Sequence, residues 1–304
     1  MASLPLRFGL VGTGFWARIA HAPALASTEG IELAGVWGRN QQAAADLAAA
    51  HHATAYEDID ALLAAVDGVA FAVPPDVQAP IATTAARAGK HLLLEKPLAI
   101  SEAEADDLVE AVAQSQVASV VFFTLRFQEP MRAWLADVTA RGGWLGGVGS
   151  WFGSSMLESS PFNTSWRRDK GALWDVAPHV ISLLWAGLGP VTAVTADAGP
   201  ADVSHLILHH EGGATSAVTV SQDAGEAAAG FEAFVWGGSG RSAAPAAADD
   251  PLPPLRTALG ELLENVRSGR TEHPCDTRFG RDVGRVITEA QRQIDRRRQA
   301  GQVG

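Results

Sequence analysis

The sequence predicts an α/β protein: a doubly wound parallel sheet at the N-terminus, then an α+β domain on an open, mostly antiparallel sheet. Three observations carry that expectation. Up to residue 123, short continuously apolar segments alternate with Ala-rich amphipathic ones, the pattern of parallel strands covered on both faces. The first apolar segment runs into Gly12-Thr13-Gly14-Phe15-Trp16-Ala17, a glycine turn joining a strand to a helix. Beyond residue 123 strands alternate apolar and polar residues, with turns such as Glu211-Gly212-Gly213 between them, as antiparallel pairing requires.

Taken in order, Leu6–Val11 predicts a strand and the Ala-rich stretch to Ser27 a helix. Ile31–Trp37 follows as a strand, then Gln41–His51 and Ile59–Ala65 as helices, and Gly68–Val73 as a strand. Val77–Ala88 is helical and His91–Leu94 extended. Ser101 with Glu104 three residues on marks a capping box that starts a helix to Ser115. Val117–Phe123 ends a first domain of residues 1–123, leaving 124–304 for the second. There, Glu129–Arg141 and Gly171–Leu188 predict helices, and Val191–Ala198, Val203–His209, Ala214–Val220 and Phe231–Trp236 predict strands. Residues 237–254 read as a Gly-, Ala- and Pro-rich loop, and Leu255–Arg267 and Thr277–Arg298 as closing helices.

Composition bounds the function. A 304-residue chain, 47% hydrophobic and 19% charged, is long enough for two cores at roughly 150 residues per domain. A net charge of −11 argues against general nucleic-acid binding, which needs clustered cations to neutralise phosphates. The single cysteine, Cys275, excludes an internal disulfide framework and a multi-cysteine metal site, and no metal is expected. No run reaches the roughly 18 apolar residues of a membrane span, and Met1–Leu6 lacks a basic stretch leading into an apolar one. The expectation is a soluble, cytoplasmic protein with no membrane partner. Of the 23 basic residues only Lys90, Lys96 and Lys170 are lysines.

Three motifs point to chemistry. Gly12-x-Gly14-x-x-Ala17 follows a strand and opens a helix, the context in which glycines let the backbone approach a pyrophosphate and the helix N-terminus faces it. A second-strand tip with Asp or Glu would suit NAD; here Val36-Trp37-Gly38-Arg39-Asn40 offers Arg39 and no acid, which favours NADP. A solvated Arg39 in a site that accepts either dinucleotide is the bland reading. His91-Leu92-Leu93-Leu94-Glu95-Lys96-Pro97 ends a strand in two charges at the sheet's carboxyl edge, where ligands bind in such folds. Finally, Asp175 and His179 stand four apart, so on one helix they share a face suited to acid–base work. A helix-starting Asp beside a core His is the alternative.

Together these segments resemble the glucose–fructose oxidoreductase / inositol dehydrogenase / rhizopine-catabolism (Gfo/Idh/MocA) family. The likeness runs through GLVGTGFWARIAHAPAL (9–25), VPPDVQAPIATTAARAGKHLLLEKPLAIS (73–101) and LRF (125–127). It continues in SWRRDKGALWDVAPHVISLLWAGLGPV (165–191) and ENVRSGRTEHPCDTRFGRDVGRVITEA (264–290). The resemblance implies a Rossmann domain and an NADP- or NAD-dependent dehydrogenase acting on a secondary alcohol or carbonyl of a sugar, polyol or related compound. It implies Lys96, Asp175 and His179 as the catalytic set. Around the cofactor it implies Gly12, Gly14, Phe15, Trp16, Arg39, Asn40, Val73, Pro74, Gln78, Glu95 and Lys96. Arg126, Trp166 and Arg167 would join Asp175 and His179 on the substrate, near the cleft between domains. Trp151, Trp166 and Trp174 are candidate platforms for a sugar ring. Gln78, where many relatives carry His, Ala177-Pro178 and Ser182 depart from the pattern and bear on substrate rather than reaction class. A glycosidase using NAD transiently and a dinucleotide-binding sensor without chemistry are the alternatives among relatives, and reduction of a non-sugar carbonyl, such as a dihydrodiol or imine, is a third. The second sheet, with helices for only one face, predicts a homodimer or homotetramer packed through the other.

Overall fold

The computed structural model describes residues 4–158 and 160–301, so Met1–Ser3 of the sequence-level reading lie outside it. Its first sheet contains β1 (Leu6–Val11), β2 (Ile31–Trp37), β3 (Thr54–Tyr56), β4 (Gly68–Phe71), β5 (His91–Glu95) and β6 (Ser119–Phe122). All pairings are parallel, in the order β3-β2-β1-β4-β5-β6. Helices α1 (Ala22–Ser27), α2 (Gln41–Ala50), α3 (Ile59–Ala65), α4 (Pro75–Arg87) and α5 (Glu102–Ser115) make the crossovers. β4 and β6 are buried along their whole length, as strands covered on both faces must be. This is the dinucleotide-binding strand order, and its direction of winding switches between β1 and β4. The loops leaving those two strands, at Gly12 and at Val73-Pro74, therefore flank the crevice where a ligand belongs.

The predicted capping box is present in altered form. Ser101 Oγ accepts from the Glu104 N–H at 3.2 Å and donates to the Glu104 carboxylate at 3.0 Å. The outer edge of β6 is closed by the chain near its end: Val121 N–H donates to the Cys275 carbonyl at 2.7 Å, and Phe279 packs edge-on against Phe123. Covering an edge in this way removes an open template for pairing.

The second sheet contains β7 (Trp144–Phe152), β8 (Val191–Ala198), β9 (Ser204–His210), β10 (Thr215–Ser221), β11 (Gly230–Gly237) and β12 (Gly240–Ala243), ordered β12-β11-β7-β10-β9-β8. Only the β7–β10 pairing is parallel. With α6 (Glu129–Arg141), helices α7 (Ser165–Asp175) and α8 (Ala177–Leu188) accompany this sheet. Ser165–Leu188 is long and apolar enough to cross a membrane by composition, yet 78% of its apolar window is buried inside the fold. Helices α9 (Leu252–Ser268) and α10 (Thr277–Gly301) end the described chain.

The chain divides into two compact units. One takes the sequence through Phe127 and then Asp249–Arg281; the other takes Gln128–Ala248 and the chain from Asp282 on. The division differs from a single cut after residue 123 because α9 belongs with the first sheet. Gly30 lies under Leu263 and Arg267 of that helix, and α9 also packs on β5 and β6.

Candidate functional site

One group of candidate residues grows from the turn after β1. Gly12 has φ +129°, and a Cβ there would collide with the Ala72 carbonyl, so only glycine fits. Its N–H donates to the Trp37 carbonyl at 2.9 Å, which draws the tip of β2 against the turn. A Cβ on Gly14, by contrast, would meet nothing within 4 Å. The first glycine is required by the fold and the second leaves open space, as a backbone cradle for a pyrophosphate requires. Arg18 N–H donates to the Gly14 carbonyl at 3.2 Å, and its guanidinium Nε returns to the Thr13 carbonyl at 3.1 Å. That places a cation over the turn which the motif did not predict.

Arg39 and Asn40 are exposed at the tip of β2; Asn40 also caps α2 by accepting from Ala43 N–H at 3.0 Å. Phe15 is exposed beside Gly14, and Pro74 is exposed at the start of α4 with Val73 half-buried before it. Gln78 is different: it is 0% exposed and its amide is spent on the β5 strand end. It accepts from Glu95 N–H and donates to the Glu95 carbonyl, both at 2.8 Å, and also donates to the Leu98 carbonyl at 3.2 Å. The structure thus makes Gln78 a clamp behind Glu95-Lys96-Pro97 rather than a surface that touches a ligand. The Lys96–Pro97 peptide is cis. Lys96 is half-buried at the carboxyl edge of the first sheet. Glu95 Oε1 accepts from Trp16 Nε1 at 2.7 Å and lies 2.8 Å from His21 Nε2.

Arg126 lies in the first unit, on a 3-10 turn, with its guanidinium 5.5 Å from the Phe279 ring centre. A second group of candidate residues lies in the other unit. Asp175 ends α7, Val176 breaks the helix, and Pro178 falls in the first turn of α8, where proline costs no hydrogen bond. The predicted single helix is therefore two, and Asp175 and His179 stand on either side of the break. Gly171, with φ +68°, kinks α7 beforehand; a side chain there would run into Asp202. Asp202 instead accepts from the Ala172 and Gln222 N–H groups at 3.0 and 2.9 Å. Burial raises its carboxyl above the usual range, against those two bonds.

Asp175 is buried and its Oδ2 is held twice, by Arg167 Nε at 2.8 Å and Gln222 Nε2 at 2.7 Å. Gln222 is itself oriented by Ser155, whose hydroxyl donates to its Oε1 at 2.6 Å. His179 is buried, its ring 5.4 Å from that of Trp151. Ser182 Oγ donates to the His179 carbonyl at 2.8 Å. Trp166 is half-buried beside Arg167, whose guanidinium lies 5.9 Å from its ring. Trp174 cannot be a sugar platform: it is buried, donates to Gln291 at 3.2 Å, and carries Lys170 5.0 Å from its ring. Trp151 keeps that candidacy. Gln222, Asp202 and His21 were invisible as site residues in the sequence. Gln222 reads there only as the polar end of a strand, and Asp202 as a turn residue.

The chain is similar to known oxidoreductases. Residues 6–123 match the family model described as oxidoreductase family, NAD-binding Rossmann fold, and 104–241 match the GFO/IDH/MocA C-terminal domain. UDP-N-acetylglucosamine 3-dehydrogenase of Acidithiobacillus ferrooxidans is 38% identical over 104 residues, 34% of this chain and 32% of that enzyme. Glucose-6-phosphate 3-dehydrogenase of Bacillus subtilis is 30% identical over 189 residues, 59% of this chain and 53% of that enzyme. The chain thus spans between a third and about half of the length of these two curated relatives. Among solved structures, GenD2 of gentamicin A biosynthesis, in complex with NAD, superposes with a TM-score of 0.85. It is 21% identical, and the match covers 96% of this chain and 94% of that one.

Proposed function

The chain belongs to the Gfo/Idh/MocA oxidoreductase family, and from that premise we propose that it is a dinucleotide-dependent dehydrogenase of a ring secondary hydroxyl on a sugar or polyol. The observation that carries the reading is the end of β5. There a fully buried Gln78 clamps Glu95-Lys96-Pro97 at the carboxyl edge of a sheet whose Gly14 leaves a cradle open. The two curated relatives named above act on the 3-position of hexose derivatives by name, and a hexose 3-hydroxyl is the first substrate to try.

In this reading Gly12, Gly14 and Arg18 hold the pyrophosphate, Arg39 the adenosine end, and Val73, Pro74 and Glu95 the other half. When bound, the nicotinamide supplies the redox chemistry by exchanging a hydride with the substrate carbon. His179 takes the hydroxyl proton, and Lys96 stabilises the developing alkoxide. Asp175, fixed by Arg167 and Gln222, orients the acid–base end. Turnover of a panel of aldoses, sugar phosphates and polyols, followed by NAD(P)H absorbance, tests the proposal. Release of free sugar without net cofactor reduction would favour the glycosidase reading; dinucleotide binding with no turnover of any kind would favour a sensor.

NADP is the proposed cofactor because Arg39 is exposed at the β2 tip and no acid stands there. NADPH is expected to bind more tightly than NADH. Arg39→Ala should cost NADPH about 1.5–3 kcal/mol, the value of a charge-assisted hydrogen bond, and leave NADH nearly unchanged. Fluorescence titration checks this; equal losses for both would remove Arg39 from the 2′-phosphate.

A homo-oligomer packed through the second sheet is also proposed. Its open face gathers Ile207 (43% exposed), Trp236 (45% exposed) and Val148, Ala217 and Phe234 between them. Glu232 and Arg241 lie on the same face, giving a two-fold partner both apolar and opposite-charge matches. Light scattering should find a dimer or tetramer at micromolar concentration. Trp236→Glu should weaken association about 30-fold or more, as for an interface anchor. A wild-type monomer would contradict the proposal.

A further inference from the structure

The helix that follows the glycine turn opens with one α-type bond, Arg18 N–H on the Gly14 carbonyl, and then widens. Ala17–His21 is a π-turn, closed by the Ala22 N–H on the Ala17 carbonyl. In an α-helix of 3.6 residues per turn, residues five apart point roughly 140° away from each other, whereas an i→i+5 turn brings them to one face. Trp16 and His21 are five apart, and both reach the same oxygen, Glu95 Oε1, at 2.7 and 2.8 Å. Gln78 holds the backbone of Glu95 from the other side. With Glu95 ionised the carboxylate is acceptor-only, and His21 Nε2 is then the donor of the pair.

The imidazole is kept at a cost. His21 is 0% exposed, and its Nδ1 has no hydrogen-bond partner, a buried polar atom that a leucine would not leave. Packing alone therefore does not account for a histidine here. What the pair does account for is the direction of Glu95: Oε1 takes both donors, and the carboxylate keeps 13% of its side-chain surface open.

We infer that the π-turn is a positioning device, in which Trp16 and His21 fix Glu95 so that its second oxygen, Oε2, accepts a hydrogen bond from the nicotinamide half of the dinucleotide. The inference rests on the dinucleotide reading above. The adenosine half belongs to the β2 tip, so the β5 end of the crevice takes the other half. Trp16 and His21 act through Glu95 and are positioning residues.

Calorimetric titration with NADH and with ADP, which lacks the whole nicotinamide riboside half, separates this role from a merely structural one. Trp16→Phe keeps the ring and removes the donor; His21→Leu removes the donor and the orphaned Nδ1 together. Each is expected to raise the Kd for NADH about 5–20-fold and to move that for ADP less than about twofold. His21→Leu should melt no lower than wild type, and His21→Gln, which keeps an N–H donor, should restore most of the NADH affinity. Should either His21 variant fail to fold, Trp16→Phe decides the matter alone. Equal losses for both ligands, or no loss for NADH, would overturn the inference. A wild-type chain that binds neither ligand would overturn the dinucleotide reading and this inference with it, and is distinguishable from both other results.

Discussion

Lys96→Arg is expected to slow turnover by about 10²–10⁴ while cofactor affinity stays within about twofold of wild type. Lysine is scarce in this chain: three lysines stand against 20 arginines. Lys90 serves as a structural donor, to the Val66 carbonyl at 2.9 Å, and Lys170 covers Trp174. Lys96 alone stands at a strand's carboxyl end, immediately after the clamped Glu95. An arginine there keeps the charge but carries a planar, bulkier head that does not titrate. An amine that only anchors phosphate tolerates the change; one that stabilises or relays at a reacting hydroxyl does not. His179→Ala should fall in the same range, and the double variant should lose far less than the product of the two, because both serve one step. Single-turnover hydride transfer is the measurement. Wild-type rates in both single variants would remove the pair from catalysis and leave a binding protein.

The parallel sheet was legible because every cue in it is local. Apolar strands, short connections and a capping box need no knowledge of the rest of the chain, and β1, β2, β4, β5 and β6 fall within a few residues of their predicted places. β3 was missed because it is a three-residue edge strand, too short to show a period. The second sheet hid its central strand for a different reason. β7 reads Trp-Leu-Gly-Gly-Val-Gly-Ser-Trp-Phe, and glycine argues against a strand by propensity. Packing supplies the reason for it: a Cβ on Gly147 would come within 3.0 Å of Leu184 and Leu188, so the glycines let α8 lie close on the sheet. β12 was lost inside a Gly- and Ala-rich stretch, although Arg241 lies 4.0 Å over the Phe234 ring of its neighbour.

Much of the site's supporting framework was not legible. Lys96, Asp175 and His179 stand out in the sequence as candidates by motif and spacing, but what holds them comes from far along the chain or from backbone geometry. Gln222 reaches Asp175 across 47 positions of sequence, and Gln78 reaches Glu95 across 17. The π-turn has no residue marker, since its sequence, Ala-Arg-Ile-Ala-His, is ordinary helix. Histidines show the same limit. His210 is buried with both ring nitrogens bonded, to the Gly189 carbonyl and Ser216 Oγ, and burial lowers its pKa. It is structural, and its two partners, not its neighbours in sequence, show that.

The two glycines of the first turn are expected to separate folding from binding. Gly12→Ala places a Cβ against the Ala72 carbonyl at φ +129°; backbone strain and the collision together should cost about 2–4 kcal/mol of stability. Gly14→Ala meets nothing within 4 Å and has no left-handed φ, so its unfolding free energy should stay within about 0.5 kcal/mol of wild type. If the space over Gly14 is where a pyrophosphate comes to rest, the same methyl must push it away. NADH affinity should then fall about 10- to 100-fold, the cost of one overpacked group at about 1–3 kcal/mol. Urea unfolding and NADH titration on the two variants test the pair together. A Gly14→Ala protein that is stable and binds with wild-type affinity would take the dinucleotide away from this turn, because no feature of the fold itself requires a glycine there.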